Sequence, residues 1–414
     1  MSNDPRSYPM NTAAESYVKL VLSVGEHDPD YVDAYFGPPQ WREQVKAKTP
    51  SLGEIQSSTE QALQQMLNIP ASNEEIHQLR HRYLTCQLRA LRARVEMLRG
   101  RTYSFDEEAR LLYDASPPHH PESYFRTVLS KLDAMVPGSG PVAERYERYR
   151  KEFVITLNKL DEVFQAAIRE CRERTRRMMA LPPEERFALE YVKNRSWSGY
   201  NWYKGNSVSL IQVNIDLPIT IDRAVDLAAH EGYPGHHVYN SMLESHLARE
   251  RGWPEFTVYA LFSPQSLIAE GTANFGIEVA FPGNQRIEFE GEVLFPMAGL
   301  DAARAGEYYS IHRLTSVLNY AHNEAARSYL DGAMTRQQAE EWLATYALMS
   351  PERAKQRVRF IDTYRSYVIN YNLGQDLVRR YIESRGGTED DPHKRWDEFS
   401  HLISSPRLPS GLRE

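Results

Sequence analysis

This 414-residue sequence predicts a mainly α-helical fold with a small β-hairpin or sheet beside a histidine-rich helix. Three observations carry the prediction. Long stretches place apolar residues at helical period. One region alone, about 195–220, is rich in aromatic and β-branched residues in strand-like runs. No internal repeat or low-complexity linker divides the chain, so a helical N-terminal region (1–190) and a motif-bearing region (191–414) are expected to flank a deep cleft or to form one continuous domain.

The helices follow in order. SNEEIHQLRHRYLTCQLRALRARVEMLRG (72–100) opens with Ser72 as N-cap and Glu75 three residues on, the capping-box pattern, and ends at Gly100. A second long helix is expected from Pro141 to Met179, with Phe153, Ile155, Leu157, Leu160, Val163, Phe164 and Ile168 near helical period. Its basic run, RECRERTRRMM, has acids nearby and reads as a solvated face. Between the two, DASPPHHPES is a loop carrying His119 and His120. Earlier, HDPDYVDAYFGPPQW places His27, Asp28 and Asp30 in a capped loop.

SWSGYNWYKGNSVSLIQVNIDLPIT reads as a hairpin turning at Lys204-Gly205-Asn206, with Thr220 as the cap of the next helix. Further helices are expected near 266–280, 301–331, 335–348 and 350–384, the last starting at Ser350-Pro351. The tail, SSPRLPSGLRE, is expected to fray.

A net charge of -7 leaves no electrostatic footprint for nucleic acid. Cys86 and Cys171 are too few for a disulfide framework and lack metal-binding spacing. The start lacks the pattern of a signal peptide, and no run approaches the roughly 20 apolar residues that cross a bilayer. A soluble, cytoplasmic protein without a membrane partner is the expectation.

The chemistry concentrates in DLAAHEGYPGHHVYNSML (226–243). His230-Glu231 begins like H-E-x-x-H, yet Pro234 stands where the second histidine would be. On an unbroken helix His236 would point nearly opposite to His230, and His237 would lie about 10 Å further along the axis. Zinc–imidazole bonds of about 2 Å exclude either pairing. Pro234 and Gly235 supply a break that can return His236 to His230. A third ligand is expected on a following helix. SLIAEGTANFGIEVAF offers Glu270 among apolar neighbours, where a buried carboxylate needs a partner, with Gly271 and Ala273 small enough to pack near the metal helix and Glu278 at the helix edge.

HEGYPGH followed by AEGTA resembles a large bacterial family of unknown function with the signature H-E-x-x-P-G-H and a later E-G-x-A. The family is regarded as zinc peptidases of gluzincin type, akin to carboxypeptidase Taq and the helical oligopeptidases. The resemblance covers roughly residues 205–380. It implies a zincin-like helical metallopeptidase with one Zn2+ per chain held by His230, His236 and Glu270, and Glu231 as catalytic base. His237 matches a variable position. His322 resembles a histidine of the family pattern, and YVINYNLGQD keeps Tyr371 and Gly374 but not the family's glutamine. Thr272 and Phe275 also depart from the family's usual aromatic pattern, and these changes bear on substrate contacts.

A mechanism follows as an expectation. A metal-activated water attacks a carbonyl while Glu231 moves its proton to the leaving amine. Tyr371, then His322, are the first choices for the oxyanion, with Arg365 and Tyr367 on the same helix as Tyr371. The strand SLIQVNID offers an edge for an extended peptide, and the resemblance implies that Asn214 falls on that edge. The expected function is a zinc-dependent peptidase for short peptides. The alternatives are a non-peptide amide or ester hydrolase, and a silent peptide- or metal-binding relative. Glu231, a spare carboxylate, argues against the silent form; His237 as a fourth ligand would favour it.

Overall fold

The computed structural model describes residues 7–195 and 197–413. Helices dominate, as the periodicity predicts, and five strands complete the regular structure: β1 (Val32–Tyr35), β2 (Arg186–Val192), β3 (Gly199–Tyr203), β4 (Val208–Asn214) and β5 (Val258–Ala260). β1 and β5 pair antiparallel. β4 is the centre of a three-stranded sheet, parallel to β2 and antiparallel to β3.

The expected hairpin is β3–β4, closed by residues of positive φ at Gly205, Asn206 and Ser207. β2 has no counterpart in the sequence reading. Its Phe187, Leu189 and Tyr191 alternate onto the core, the period-2 pattern of a half-buried strand. Because β4 is flanked on both sides, it offers no free edge, and the expected peptide pairing along it is corrected.

Several helices are shorter than their periodicity suggests. The 141–179 stretch divides into Val142–Lys151 and Leu157–Met178. The break is made by tertiary pairing: Ile155 donates to the Ile219 carbonyl at 2.9 Å, and Ile221 donates to Phe153 at 3.0 Å. The 301–331 stretch likewise divides into Ala305–Val317 and Tyr320–Leu330. The last long helix divides at Arg365, whose φ of 53° is left-handed, into Pro351–Tyr364 and Ile369–Ser384. Ser350 caps its start as expected, accepting from the Arg353 amide.

Two expected caps are not made. Ser72 takes the Glu74 amide while the helix begins at Glu75, and the helix after β4 starts at Asp222 without a side-chain cap from Thr220. The tail also departs from expectation. Leu408 and Leu412 are buried, and the Ser410 amide donates to Asp114 at 3.0 Å, so it packs on the body.

One connected apolar core runs from Met10 to Leu412. Polar links span the regions 1–190 and 191–414. Arg80 meets Glu255 bidentately at 2.6 and 3.0 Å, both fully buried, and such a fork offsets much of the desolvation of two charges. Glu108 takes the amide and hydroxyl of Ser366 and the Arg365 guanidinium. Among the described residues, no helix is long and apolar enough to cross a membrane.

Candidate metal centre

The helix Asp222–Leu227 runs into a π-helical turn, Ala228–Gly232, and the chain then breaks through a cis Tyr233-Pro234 bond. A new helix starts at His236. The return is tight. A Cβ on Gly235 would lie 1.9 Å from the His230 carbonyl oxygen, so only glycine fits. The Gly235 amide donates to Ala229 at 2.9 Å, which fixes the fold-back.

The break brings His236 to His230. Their Nε2 atoms are 3.1 Å apart, and Oε2 of Glu270 lies 3.2 Å from His230 Nε2 and 3.6 Å from His236 Nε2. Three ligand atoms around one tetrahedral zinc, with bonds of about 2.0–2.1 Å, would stand about 3.3 Å apart. The triangle fits that spacing. Glu270 comes from the Pro264–Ala280 helix, is 6% exposed, and its Oε2 is buried with nothing but the two imidazole nitrogens beside it. A buried carboxylate oxygen left in this way needs a cation.

Neighbouring groups orient the triangle. Asn274 Oδ1 lies 2.9 Å from His230 Nδ1, which assigns the proton there and leaves Nε2 free to bind. The Asn274 amide nitrogen in turn donates to the Tyr371 carbonyl at 2.9 Å. Tyr367 donates its hydroxyl to Glu270 Oε1 at 2.7 Å. Burial alone would raise the Glu270 carboxyl, but hydrogen bonds and charge from His230 and His236 hold it well below its ordinary range. Against its own burial, His236 is pushed up to about 9 by Glu270, Glu231 and Asp33.

Glu231 is 5% exposed, and its carboxylate makes no hydrogen bond among the described residues. Burial pushes it above its ordinary value, against the pull of both imidazoles. Tyr371 lies within electrostatic reach of Glu270 and Glu231, and its hydroxyl is likewise without a hydrogen-bond partner among the described residues. His322 is half-buried, with an unpartnered Nε2, and its pKa is held well below 6.5 by desolvation and by the charge of Arg357.

Other expected site residues are engaged elsewhere. Arg365 is an ion-pair partner of Glu108 at 2.7 Å, because the left-handed turn directs it to the N-terminal region. Asn214 spends its amide on the carbonyls of Arg195 and Trp197 and accepts from the Asp216 amide, so it fixes a loop and is not free for substrate. Tyr367 orients Glu270, so its hydroxyl is not free for substrate either. His237 is fully buried, with Nδ1 2.9 Å from Ser209 and Nε2 3.3 Å from Glu185. Gly271 packs on Gly374 of the Ile369–Ser384 helix, and it is Gly276 that faces Pro234 of the chain break. Glu278 pairs with Gln375 and Arg379.

Asp33 was missed. It sits on β1, takes a hydrogen bond from Tyr200, and lies within electrostatic reach of His236, Glu270 and Glu231. Desolvation pushes its carboxyl up to about 6. Its position is set by the β1–β5 pairing, which brings the chain start beside the metal turn. Strand alternation in YVDAY is the only signal for it in the sequence. A second group, Asp222, Asp226 and His312, has its charge met internally: Asp226 pairs with Arg286 and Arg223, and Asp222 accepts from Tyr308.

No family model and no curated protein matches the chain. Among solved structures, one described as a "putative lipoprotein" from Colwellia psychrerythraea superposes with a TM-score of 0.53 at 12% identity, covering 90% of this chain and 68% of that one. A second, described as a "putative lipoprotein of unknown function" from Shewanella oneidensis, has a TM-score of 0.48 at 13% identity, covering 90% and 75%. The first shares the mainly helical fold; at that identity the likeness extends to the fold alone.

Proposed function

We propose that the protein is a metal-dependent hydrolase of zincin-like architecture, with zinc as its ion and short peptides as its substrates. The observation that supports this most is the triangle of ligand atoms itself, with the buried Glu270 oxygen facing only the two imidazole nitrogens at ligand spacing. His230, His236 and Glu270 would hold the ion. When bound, a divalent ion supplies Lewis-acid polarisation of a carbonyl and a more acidic water.

The chain's own groups do the rest. Asn274 and Tyr367 keep the ligands oriented. Glu231 takes a proton from the attacking water and delivers it to the leaving amine. The free hydroxyl of Tyr371 donates to the carbonyl oxygen as that oxygen gains charge. A closed, purely structural site would need a fourth protein ligand, and His237 is committed to Ser209 and Glu185. Both cysteines are free thiols, which fits a reducing compartment and supports a cytoplasmic location.

The test is metal content and peptide hydrolysis together. The wild type is expected to hold about one zinc per chain and to cleave short peptides. His236→Ala loses the metal. Glu231→Gln keeps it and loses about 100-fold or more in rate. A wild type that takes up no zinc on add-back would overturn the reading.

A further inference from the structure

Arg357 is a cation with no anion beside it. It projects from the Pro351–Tyr364 helix and is half-buried. Among the described residues it makes no ion pair and no hydrogen bond; its guanidinium rests over the Phe360 ring, 5.2 Å from the centroid. That ring packs against Tyr371, with centroids 6.3 Å apart. The groups that feel its charge are the Tyr371 hydroxyl and the His322 imidazole, both at the candidate site. Desolvating an unpaired guanidinium is costly, and a ligand anion would offset that cost.

Its surroundings add positive charge. Arg223, whose charge reaches both Arg357 and Glu231, donates to Ser198 at 3.3 Å and pairs with Asp226 at 3.2 Å. On the same helix face as Arg357, Arg353 donates to the Pro218 carbonyl at 3.1 Å, and beside that face Gln356 donates to the Arg195 carbonyl at 3.5 Å. This face therefore fronts the loops on either side of the β3–β4 hairpin. Positive charge thus stands near Glu231, from Arg223, and near Tyr371, from Arg357, in a protein whose net charge is -7.

Resting on the hydrolase reading above, we propose that Arg357 binds the free C-terminal carboxylate of the peptide, so that the enzyme is a carboxypeptidase. The planar guanidinium fork matches a carboxylate bidentately. Tyr371, one ring away, then meets the carbonyl of a bond near that end. The reaction is hydrolysis: the C–N bond breaks, a C–O bond forms from water, and the proton held by Glu231 leaves with the amine.

The test uses one peptide series made with free and with amidated C-termini, on zinc-loaded full-length protein. Hydrolysis is followed by mass spectrometry, and binding to the Glu231→Gln protein by calorimetry. The wild type is expected to prefer the free acid about 100-fold or more in kcat/KM. Arg357→Gln brings that ratio close to one, chiefly through KM, and Arg357→Lys restores part of it. Thermal melts of both variants separate this from unfolding. Equal cleavage of acid and amide, or a preference that survives in Arg357→Gln, overturns the proposal and leaves the hydrolase reading standing. If zinc binds and neither form is cleaved, the hydrolase reading fails. Calorimetry then decides Arg357 separately: tighter binding of the free acid, lost in Arg357→Gln, keeps it as a carboxylate site, and equal binding removes it.

Discussion

Gly271 and Gly374 touch backbone to backbone where the helix carrying Glu270 crosses the helix carrying Tyr371. A Cβ on Gly374 would lie 2.7 Å from the Leu267 carbonyl oxygen and 3.0 Å from the Gly271 Cα. Neither atom can move without its whole helix. Gly374→Ala is therefore expected to cost about 3 kcal/mol, the upper range for overpacking, read from the urea midpoint. It should also weaken zinc binding, because Tyr367 and Glu270 sit on opposite sides of the crossing. An unchanged midpoint would show that the helices part freely.

Asn274 joins His230, a proposed metal ligand, to the carbonyl of Tyr371. Asn274→Ala leaves all three candidate ligands in place but frees the imidazole to rotate. Zinc affinity, measured by competition with a chromophoric chelator, should fall about 10- to 100-fold. Full affinity in the variant would remove Asn274 from the site.

His237 tests the histidine assignment from the other side. His237→Ala is expected to retain zinc while losing about 1–3 kcal/mol of stability, since it strips buried partners from Ser209 and Glu185. Loss of zinc with stability intact would reverse the roles of His236 and His237.

His322 predicts a pH dependence. Its folded pKa lies well below the ordinary 6.5, because of desolvation and the charge of Arg357. Below pH 6.5 the unfolded chain therefore takes up a proton that the folded one does not. Stability falls as the pH drops through 6.5, by up to about 1.4 kcal/mol per unit for this one group, and its contribution is level above 6.5. His322→Gln should flatten that part of the profile in urea titrations at stepped pH. The same slope in both proteins would show that His322 is protonated in the fold.

The sequence and the fold agree where the information is local. The His-Glu pair, the Pro-Gly break and Glu270 lie within short segments whose spacing already demands a distorted helix, and the structure brings His230, His236 and Glu270 together. The β3–β4 hairpin follows from its turn residues in the same way. What escaped depends on distant partners. Arg365 reads as a site residue only on a continuous helix. Its direction is set by a left-handed turn and by Glu108, more than half the chain away. Asp33 becomes part of the site only when β1 finds β5. The Pro141–Met179 helix broke because residues 153–155 pair with the 219–221 backbone, a competition that helical periodicity does not register.

The amide of Asn274 has a practical use for ligand design. One of its atoms grips the ring of His230 and the other grips the backbone beneath the Tyr371 side chain. The His230 ring and the Tyr371 backbone are thereby held in register like marks on a ruler. For the proposed zinc site, a ligand pairing a zinc-binding head with an acceptor for the tyrosine hydroxyl suits a rigid spacer, since one side chain ties both of its anchor points.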